Sequence, residues 1–346
     1  EIETAGPGRV RALLTSAGNP VLSAPNGARL ARALPQLEFM VSIDGYVNET
    51  TRHADVILPP CSPLQRPHYD LALHAFAVEN SAKWVDPPLP RGPDDRDDAE
   101  ILRDLVLAIR FGGVLGSGRR LSAARAAAAR LLDPVRIVDL GLRSGPHGLG
   151  RGGLSVAALR RSPHGVRLGP LEPRLPRLLR TRSGKIELAP PAFVAEVGLL
   201  EATLDREAPP LVLIGRRHLR SNNSWLHNSQ RLVKGPPRCT LLVHPADAER
   251  HDVRDGQRAR IRSARGEVEA EVSVTDEVMP GVVSLPHGWG HHHAGTRTQV
   301  ATAHAGVSVN DLTDEARLDR LTGNAAFSAV PVAIAPAPAP STGRTS

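Results

Sequence analysis

Apolar runs and polar inserts alternate through the first hundred residues. "RVRALLTSAGNP" has an apolar run at residues 10–14 that passes into a Thr-Ser-Ala-Gly-Asn-Pro loop, which predicts a short strand. "NGARLARAL" places Leu30 and Leu34 one helical turn apart behind Asn26, a helix with its N-cap. "LEFMVSID" is continuous enough to predict a strand buried on both faces, and "DVILPP" predicts a third. Strand, helix, strand, short connection, strand is the pattern of a parallel sheet with covering helices. Ligands of such sheets lie beyond the carboxyl ends of the strands. Those ends carry the polar stretches 15–20, 44–52 and 59–62. The densest lies inside "VSIDGYVNETTRHADVILPP", too long an insert for a hairpin, and reads as a solvated loop or a lip for a polar ligand.

Farther along, "DDAEILRDLVLAI" predicts a helix starting at Asp97 or Asp98, with Ile101, Leu102, Leu105, Val106 and Ile109 as its apolar face. Residues 113–207 form a Gly/Pro/Arg-rich connecting region: "LSAARAAAARLLDPVRIVDLGL" reads as helix, "RSGPHGLGRGGL" and "GPLEPRLPRLLRTRSG" as loops. From Leu211 the texture changes to short strands, "LVLIG", "CTLLVH", "RARIRSA", "EVEAEVSV" and "GVVSLP", each bounded by turn residues. Val268, Ala270 and Val272 fall on one face after a turn at Arg265-Gly266, and "HPADAERHDVRDGQ" places a short helix before a turn at Asp255-Gly256. Four regions follow: an α/β domain at 1–112, the connection at 113–207, a compact β-barrel at 208–334 and a disordered Ala/Pro tail at 335–346.

Composition narrows the function classes. Of 346 residues 41% are hydrophobic but only 3% aromatic, so the cores rest on Leu, Val, Ala and Ile. No apolar run approaches the roughly 20 residues of a membrane span, and the first residues carry no signal peptide, which predicts a cytoplasmic protein without a membrane partner. The net charge is +7, yet Lys83, Lys185 and Lys234 are the only lysines among 43 basic residues. Such arginine bias fits coding composition and polyphosphate binding, and without an aromatic stacking platform nucleic acid is the weaker partner. Cys61 and Cys239 stand apart with no ligands at metal spacing, which excludes a zinc or iron–sulfur site in this chain, and Cys61 has no base partner to make it a nucleophile. The three histidines of "GWGHHHAGT" point in different directions and make no chelate, which leaves Trp289 and His291 as pocket-lining candidates.

Two stretches carry a resemblance. "SAGNPVLSAPNGARLARALPQLEFMVSIDGYVNETTRHADVILPP" resembles the nucleotide-binding domain of prokaryotic molybdopterin oxidoreductases, the bis-molybdopterin guanine dinucleotide enzymes of the dimethyl-sulfoxide reductase superfamily. The matching features are the Gly-Asn-Pro turn after a strand, the strand-Asp-x-aromatic-x-x-Glu-Thr run and Ala-Asp-Val-Ile-Leu-Pro. "HPADAERHDVRDGQRARIRSARGEVEAEVSVTDEVMPGVVSLPHGWG", followed by "VSVNDLTD", is similar to that family's C-terminal dinucleotide-binding domain. The resemblance implies an α/β fold, a parallel Rossmann-like nucleotide-binding sheet followed by a C-terminal double-psi β-barrel, and a formate dehydrogenase-like branch.

Its implied cofactor is molybdopterin guanine dinucleotide with molybdenum or tungsten. Gly18, Asn19 and Pro20 then fall on the turn that approaches phosphate or ribose, and Asp44, at a strand end, faces the paired donors of guanine. Glu49 and Thr50 stand beside it. Arg216, His218, Asn222, Asn223, Ser224, Trp225 and Asn228 match the loop that faces the pterin, and Asn310 matches the family's Asn before Leu-Thr. Asp55 is assigned to structure. The family's four-cysteine iron–sulfur module and the residue that ligates the metal have no counterpart here, so a 4Fe-4S cluster is expected only in a missing N-terminal region. "FAVENSAKWV" replaces a Gly-Arg-like pair, and "TGNAAFSAVPV" lacks a basic residue after its aromatic. The expectation is the C-terminal part of a larger two-electron oxidoreductase. Its partners would be a small-molecule substrate and either the remainder of the enzyme or an iron–sulfur electron-transfer protein. The rival is a non-catalytic module that holds a dinucleotide or a partner without turnover.

Overall fold

The computed structural model describes residues 1–110, 126–148 and 153–338. It divides into two compact units, Glu1–Ile57 with Leu188–Ser346, and Leu58–Glu187. The division crosses the textural boundaries at 112 and 207, because it follows contacts rather than composition.

In the first unit, β1 (Ala12–Ser16), β2 (Phe39–Ile43) and β3 (Val56–Ile57) form a parallel sheet in that order, with Ala12 opposite Phe39 and Val41 opposite Val56. β1 begins two residues later than the apolar run because the Val10 amide is bonded to the Glu1 carbonyl, outside the ladder. β2 is buried on both faces at its carboxyl end, with Met40 and Ser42 on one face and Ile43 on the other, while Phe39 at its start is 48% exposed. α1 (Pro20–Ser23) and α2 (Gly27–Ala33) follow β1, and Asn26 caps α2 as expected, from a left-handed backbone (φ 50°), its Oδ1 accepting the Arg29 amide at 3.3 Å. Val21, Ala31, Leu34 and Met40 make a small core here.

The second unit holds two antiparallel pairs, β4 (His68–Tyr69) with β6 (Trp84–Val85), and β5 (Glu79–Ala82) with β7 (Val166–Pro170). Ala82, Trp84, Leu154, Val156 and Leu159 form its core. α3 (Asp98–Arg110) forms where expected, but its buried residue is Leu107. Leu102, Val106 and Ile109 of the expected apolar face are exposed, Ile109 at 83%. Polar anchoring sets the rotation instead: Arg91 reaches Asp97 and Glu100 at 2.7 Å each, at the helix start. The helix expected across 121–142 is found in two pieces, over 126–131 and over Pro134–Ser144, the second capped by Asp133, while 121–125 lie outside the described residues.

Back in the first unit, a seven-stranded mixed sheet collects the five predicted strands and adds two from the chain's last described residues. It comprises β8 (Val212–Arg216), β9 (Thr240–Val243), β10 (Arg258–Arg262), β11 (Glu267–Val274), β12 (Val282–Pro286), β13 (Val330–Pro331) and β14 (Ala333–Pro336), in the order β13-β8-β12-β9-β11-β10-β14. β10 and β11 form the hairpin about Arg265-Gly266, with Arg262 opposite Glu267. Leu213, Leu241, Ile261, Val272, Val283, Leu285 and Ile334, drawn from across the sheet, meet in one core, so the sheet is curled around them. β14 enters the expected tail; 339–346 lie outside the described residues.

Candidate functional site

A cleft of about 420 Å³ opens in the first unit where β1, β8 and β12 end. One wall is the turn Ala17, Gly18 and Asn19, which leaves β1 with Ala17 in a left-handed conformation. Neither the Gly18 nor the Asn19 amide donates to an acceptor among the described residues. The facing wall is Asn223, Ser224 and Trp225, from the loop after β8, with Asn310 and Phe327 arriving from later in the chain. Trp225 is 56% and Phe327 40% exposed, unusual for such side chains and suited to stacking on a flat ligand. The volume lies within the roughly 300–1,000 Å³ of ligand pockets.

A second recess adjoins the first, lined by His218, Leu219, Ser221, Asn222 and Leu226, and shares Arg217, Asn223 and His287 with it. The dividing turn at Asn222 and Asn223 has positive φ, 41° and 61°, a conformation asparagine tolerates better than most residues. It sits directly on Gly288, where a Cβ would lie 2.1 Å from the Asn223 carbonyl oxygen. Glycine is required there by contact and by its φ of +93°. Burial and nearby arginines hold His218 and His287 below the ordinary imidazole value.

Behind both recesses runs a buried hydrogen-bonded chain. Ser221 Oγ lies 2.8 Å from His227 Nε2, His227 Nδ1 lies 2.9 Å from His291 Nε2, and His291 Nδ1 lies 2.8 Å from Glu49 Oε1. Asn19 donates to Glu49 Oε2 at 2.7 Å and accepts from Thr50 Oγ1 at 2.7 Å. His227 stacks on Trp289 with ring centroids 4.0 Å apart. Burial would raise the Glu49 carboxyl, but the hydrogen bond and charge of His291 and the Asn19 amide outweigh it and hold it below its ordinary value. Burial first, and His291 second, push His227 down to about 3, so it is neutral.

Seven of the expected residues, Gly18, Asn19, Arg216, Asn223, Ser224, Trp225 and Asn310, therefore line one cleft, and His218 and Asn222 line the recess beside it. The others stand elsewhere. Pro20 opens α1, and Thr50 is buried, accepting the Val21 amide. Asn228 spends its Oδ1 on the Val300 and Ala301 amides, where it starts the helix Gln299–Ala303. Asp44 lies outside both recesses, holding its own loop by accepting from the Tyr46 amide and the Asn48 side chain, and burial raises its carboxyl. Asp55 is structural, its side chain accepting the Met40 amide at 2.7 Å. Arg216 reaches the cleft wall, but its guanidinium donates to the Ser284 and Thr240 carbonyls at 2.5 and 2.7 Å.

The cation shared by both recesses is Arg217, which the sequence did not single out because two adjacent arginines are equivalent until a strand direction separates them. Trp289 and His291, expected to line a pocket, are buried behind it at 5% and 3% exposure. His227 and Ser221 carried no local signal. Among the described residues no cluster of His, Cys, Asp or Glu has metal-ligating geometry, and no helix is long and apolar enough to cross a membrane.

Two family models match the chain, in the order expected. Residues 1–106 match the molybdopterin oxidoreductase model and 211–331 the molydopterin dinucleotide binding domain model. The alpha subunit of an NADPH-Fe(3+) oxidoreductase of Geobacter sulfurreducens is 25% identical over 287 residues, 82% of this chain and 28% of that protein. A probable oxidoreductase of Bacillus subtilis is 25% identical over 325 residues, 92% of this chain and 43% of its own length. The solved acetylene hydratase of Pelobacter acetylenicus matches in fold with a TM-score of 0.70 at 16% identity, over 97% of this chain and 45% of that one. The chain thus spans less than half of each of these relatives.

Proposed function

Because the chain belongs to the molybdopterin oxidoreductase family, we propose that its cleft holds the guanosine end of molybdopterin guanine dinucleotide within a two-electron oxidoreductase. One observation carries the reading. The Gly18–Asn19 turn and the Asn223–Trp225 turn, each in a segment that a family model matches, face each other across one cavity. The residues present fit such a group. The unengaged amides of Gly18 and Asn19 are donors for phosphate or ribose oxygens, and nothing lies within 4 Å of where a Gly215 Cβ would be, so that wall admits close approach. Trp225 and Phe327 offer faces to a base, Asn223 and Ser224 offer both donors and acceptors, and Arg217 supplies the charge a pyrophosphate needs. When bound, the cofactor supplies two-electron exchange at its metal; this chain's share is binding and orientation.

In this reading the seven-stranded sheet is a double-psi barrel, and residues 1–112 are one partial Rossmann-like domain. His218 and Asn222 extend the grip towards the pterin. Asp44 lies outside the cleft, so in this reading it contacts guanine only where the nucleotide extends past the cleft rim, with the lone pairs its loop leaves unused. A formate dehydrogenase- or nitrate reductase-like activity, with a small oxidisable or reducible molecule as substrate, is the finer form of this reading. The same reading carries a cytoplasmic location and an iron–sulfur partner for the electrons as its expectations. Titration calorimetry with GDP and ADP tests the nucleotide part. GDP should bind and ADP bind more weakly, and Asp44→Ala should reduce the GDP affinity more than the ADP affinity. No binding of either nucleotide would overturn the cleft assignment, and equal loss of both in Asp44→Ala would return Asp44 to its turn.

A further inference from the structure

The buried run from Glu49 to Ser221 has an internal logic that follows from counting its protons. Its three contacts each need one hydrogen. Glu49 accepts on both oxygens, from Asn19 and from His291, so it is ionised and the first hydrogen is on His291 Nδ1. If His291 is neutral, its Nε2 is an acceptor. His227 must then donate from Nδ1, its Nε2 must accept, and the third hydrogen comes from the Ser221 hydroxyl. If His291 carries one further proton, its Nε2 donates. His227 then accepts at Nδ1, donates from Nε2, and Ser221 accepts. Both arrangements satisfy every atom of the run, and they run in opposite directions beyond His291.

We propose that Ser221, His227, His291 and Glu49 form a one-proton relay whose loading inverts the hydrogen-bonding sense of Ser221 and thereby sets what the recess can recognise. Ser221 Oγ has no hydrogen-bond partner besides His227 among the described residues, and Ser221 lines the recess with Arg217, His218 and Asn222. With the relay unloaded, the Ser221 hydrogen is spent on His227 and the hydroxyl, on a residue 2% exposed in the recess wall, is left with lone pairs alone, an acceptor for a heteroaromatic N–H. With the relay loaded, the hydroxyl hydrogen is released, a donor for a carbonyl or phosphate oxygen. His227 and His291 are positioning residues acting through Ser221, and at its other end the same run fixes the Asn19 side chain beside the cleft. Burial keeps the extra proton off His227 down to about pH 3, and the Glu49 carboxylate at the other end of the run is where a positive charge finds its partner. The other charged and titratable groups near the run are His218 on the turn before Ser221, Arg52 and His53 on the turn after Glu49, and His292 and His293 beside His291. Arg52 donates to the Ala294 carbonyl at 2.7 Å and lies 3.5 Å from His293 Nδ1.

Only the identity of the recognised group rests on the dinucleotide reading; the relay itself is tested without a ligand. The full chain, labelled with 15N-histidine, is titrated from about pH 5 to about pH 9, the range in which histidines ordinarily change charge. Long-range 1H–15N spectra report the tautomer of each ring. His227 is expected to change from the Nδ1–H to the Nε2–H form as His291 gains a proton, with one shared midpoint. In His291→Gln, whose amide can donate and accept, His227 should keep a single tautomer throughout. A His227 tautomer that is constant in the native chain, that changes at a midpoint separate from His291, or that still switches in His291→Gln overturns the relay. If the tautomer switches and GDP does not bind, the relay stands and the nucleotide reading alone falls.

Discussion

The two sheets of the first unit solve the same problem differently. The seven-stranded sheet buries Leu213, Leu241, Ile261, Val283 and Leu285 to between 0 and 1% exposure, within one core that every strand supplies. The three-stranded sheet has four buried residues in its core and leaves Leu14 46% and Phe39 48% exposed. What it lacks in apolar burial it recovers in buried polar contacts to the C-terminal segment. Asn310 donates to the Leu22 carbonyl at 2.7 Å and accepts the Asn26 amide at 2.8 Å, Asp311 accepts the Ala28 amide at 3.1 Å, and Glu49 meets His291. Apolar burial gives stability without direction, whereas hydrogen bonds fix position. The cleft lies where these directed contacts hold the Gly18–Asn19 turn against the loop after β8, so the weaker sheet is the one that is aimed.

That contrast breaks first at Glu49. Glu49→Ala strips the carboxylate from buried His291 and from the part-buried Asn19 amide, and should cost about 3–5 kcal/mol in urea unfolding. A loss below about 1 kcal/mol would mean the polar contacts are not what holds the first sheet. Next come the cores themselves. Ile261→Ala should cost about 2–5 kcal/mol by the usual scale for core truncations, and Leu13→Ala, half-buried on β1, clearly less. Equal losses would erase the difference between the sheets. Asn310→Ala leaves the Leu22 carbonyl without its donor and should cost about 1–3 kcal/mol while weakening GDP binding, since it removes a cleft wall residue as well.

A pH series sharpens the same point. In the folded chain His227 stays neutral down to about 3, whereas the unfolded chain protonates it near its ordinary value of about 6.5. The unfolded state therefore binds the extra proton in that window, so stability is complete above about 6.5 and is lost as pH falls towards 3. The slope from one such group is about 1.4 kcal/mol per pH unit. His293, lowered to about 4 chiefly by burial, adds to the same slope. The depressed Glu49 carboxyl adds a further loss below about pH 4.3, the ordinary glutamate value. His227→Gln should flatten the limb by about one proton, and an unchanged slope would place the titration elsewhere. The smallest effect is expected at Arg29. Its ion pairs with Glu3 and Glu315 lie at the surface, and Arg29→Ala should leave the unfolding midpoint within error.

Much of this molecule could be read from local chemistry. Asn26 sits before a helix because its short amide satisfies an amide of the first turn, a contact made within three residues. The strands "RARIRSA" and "EVEAEVSV" announce themselves by alternation, and their hairpin by Arg265-Gly266. α3 shows the limit of periodicity. Its stripe predicted Ile109 inside, but Arg91, seven residues before Asp98, turns the helix through ion pairs the stripe does not encode. At the site, the cleft-lining turns were legible because glycine and asparagine mark backbone that must approach something closely. The roles of the adjacent arginines were not, since only the direction of β8 sends Arg216 to backbone carbonyls and leaves Arg217 on the recess wall.

The sequence by itself determined the first three strands, the five strands from Leu211 to Pro286, the caps and turns around them, and the two segments whose residue types suit a nucleotide, because each of these depends on neighbours a few positions away. The tertiary structure alone decided that Glu49 meets His291 across 242 positions, that His291 meets His227 across 64, and that the pair ends on Ser221. No local preference favours such contacts. They exist because two sheets, each folded for its own reasons, leave their polar loops facing, and a buried carboxylate or imidazole there must find a partner or pay the full cost of desolvation.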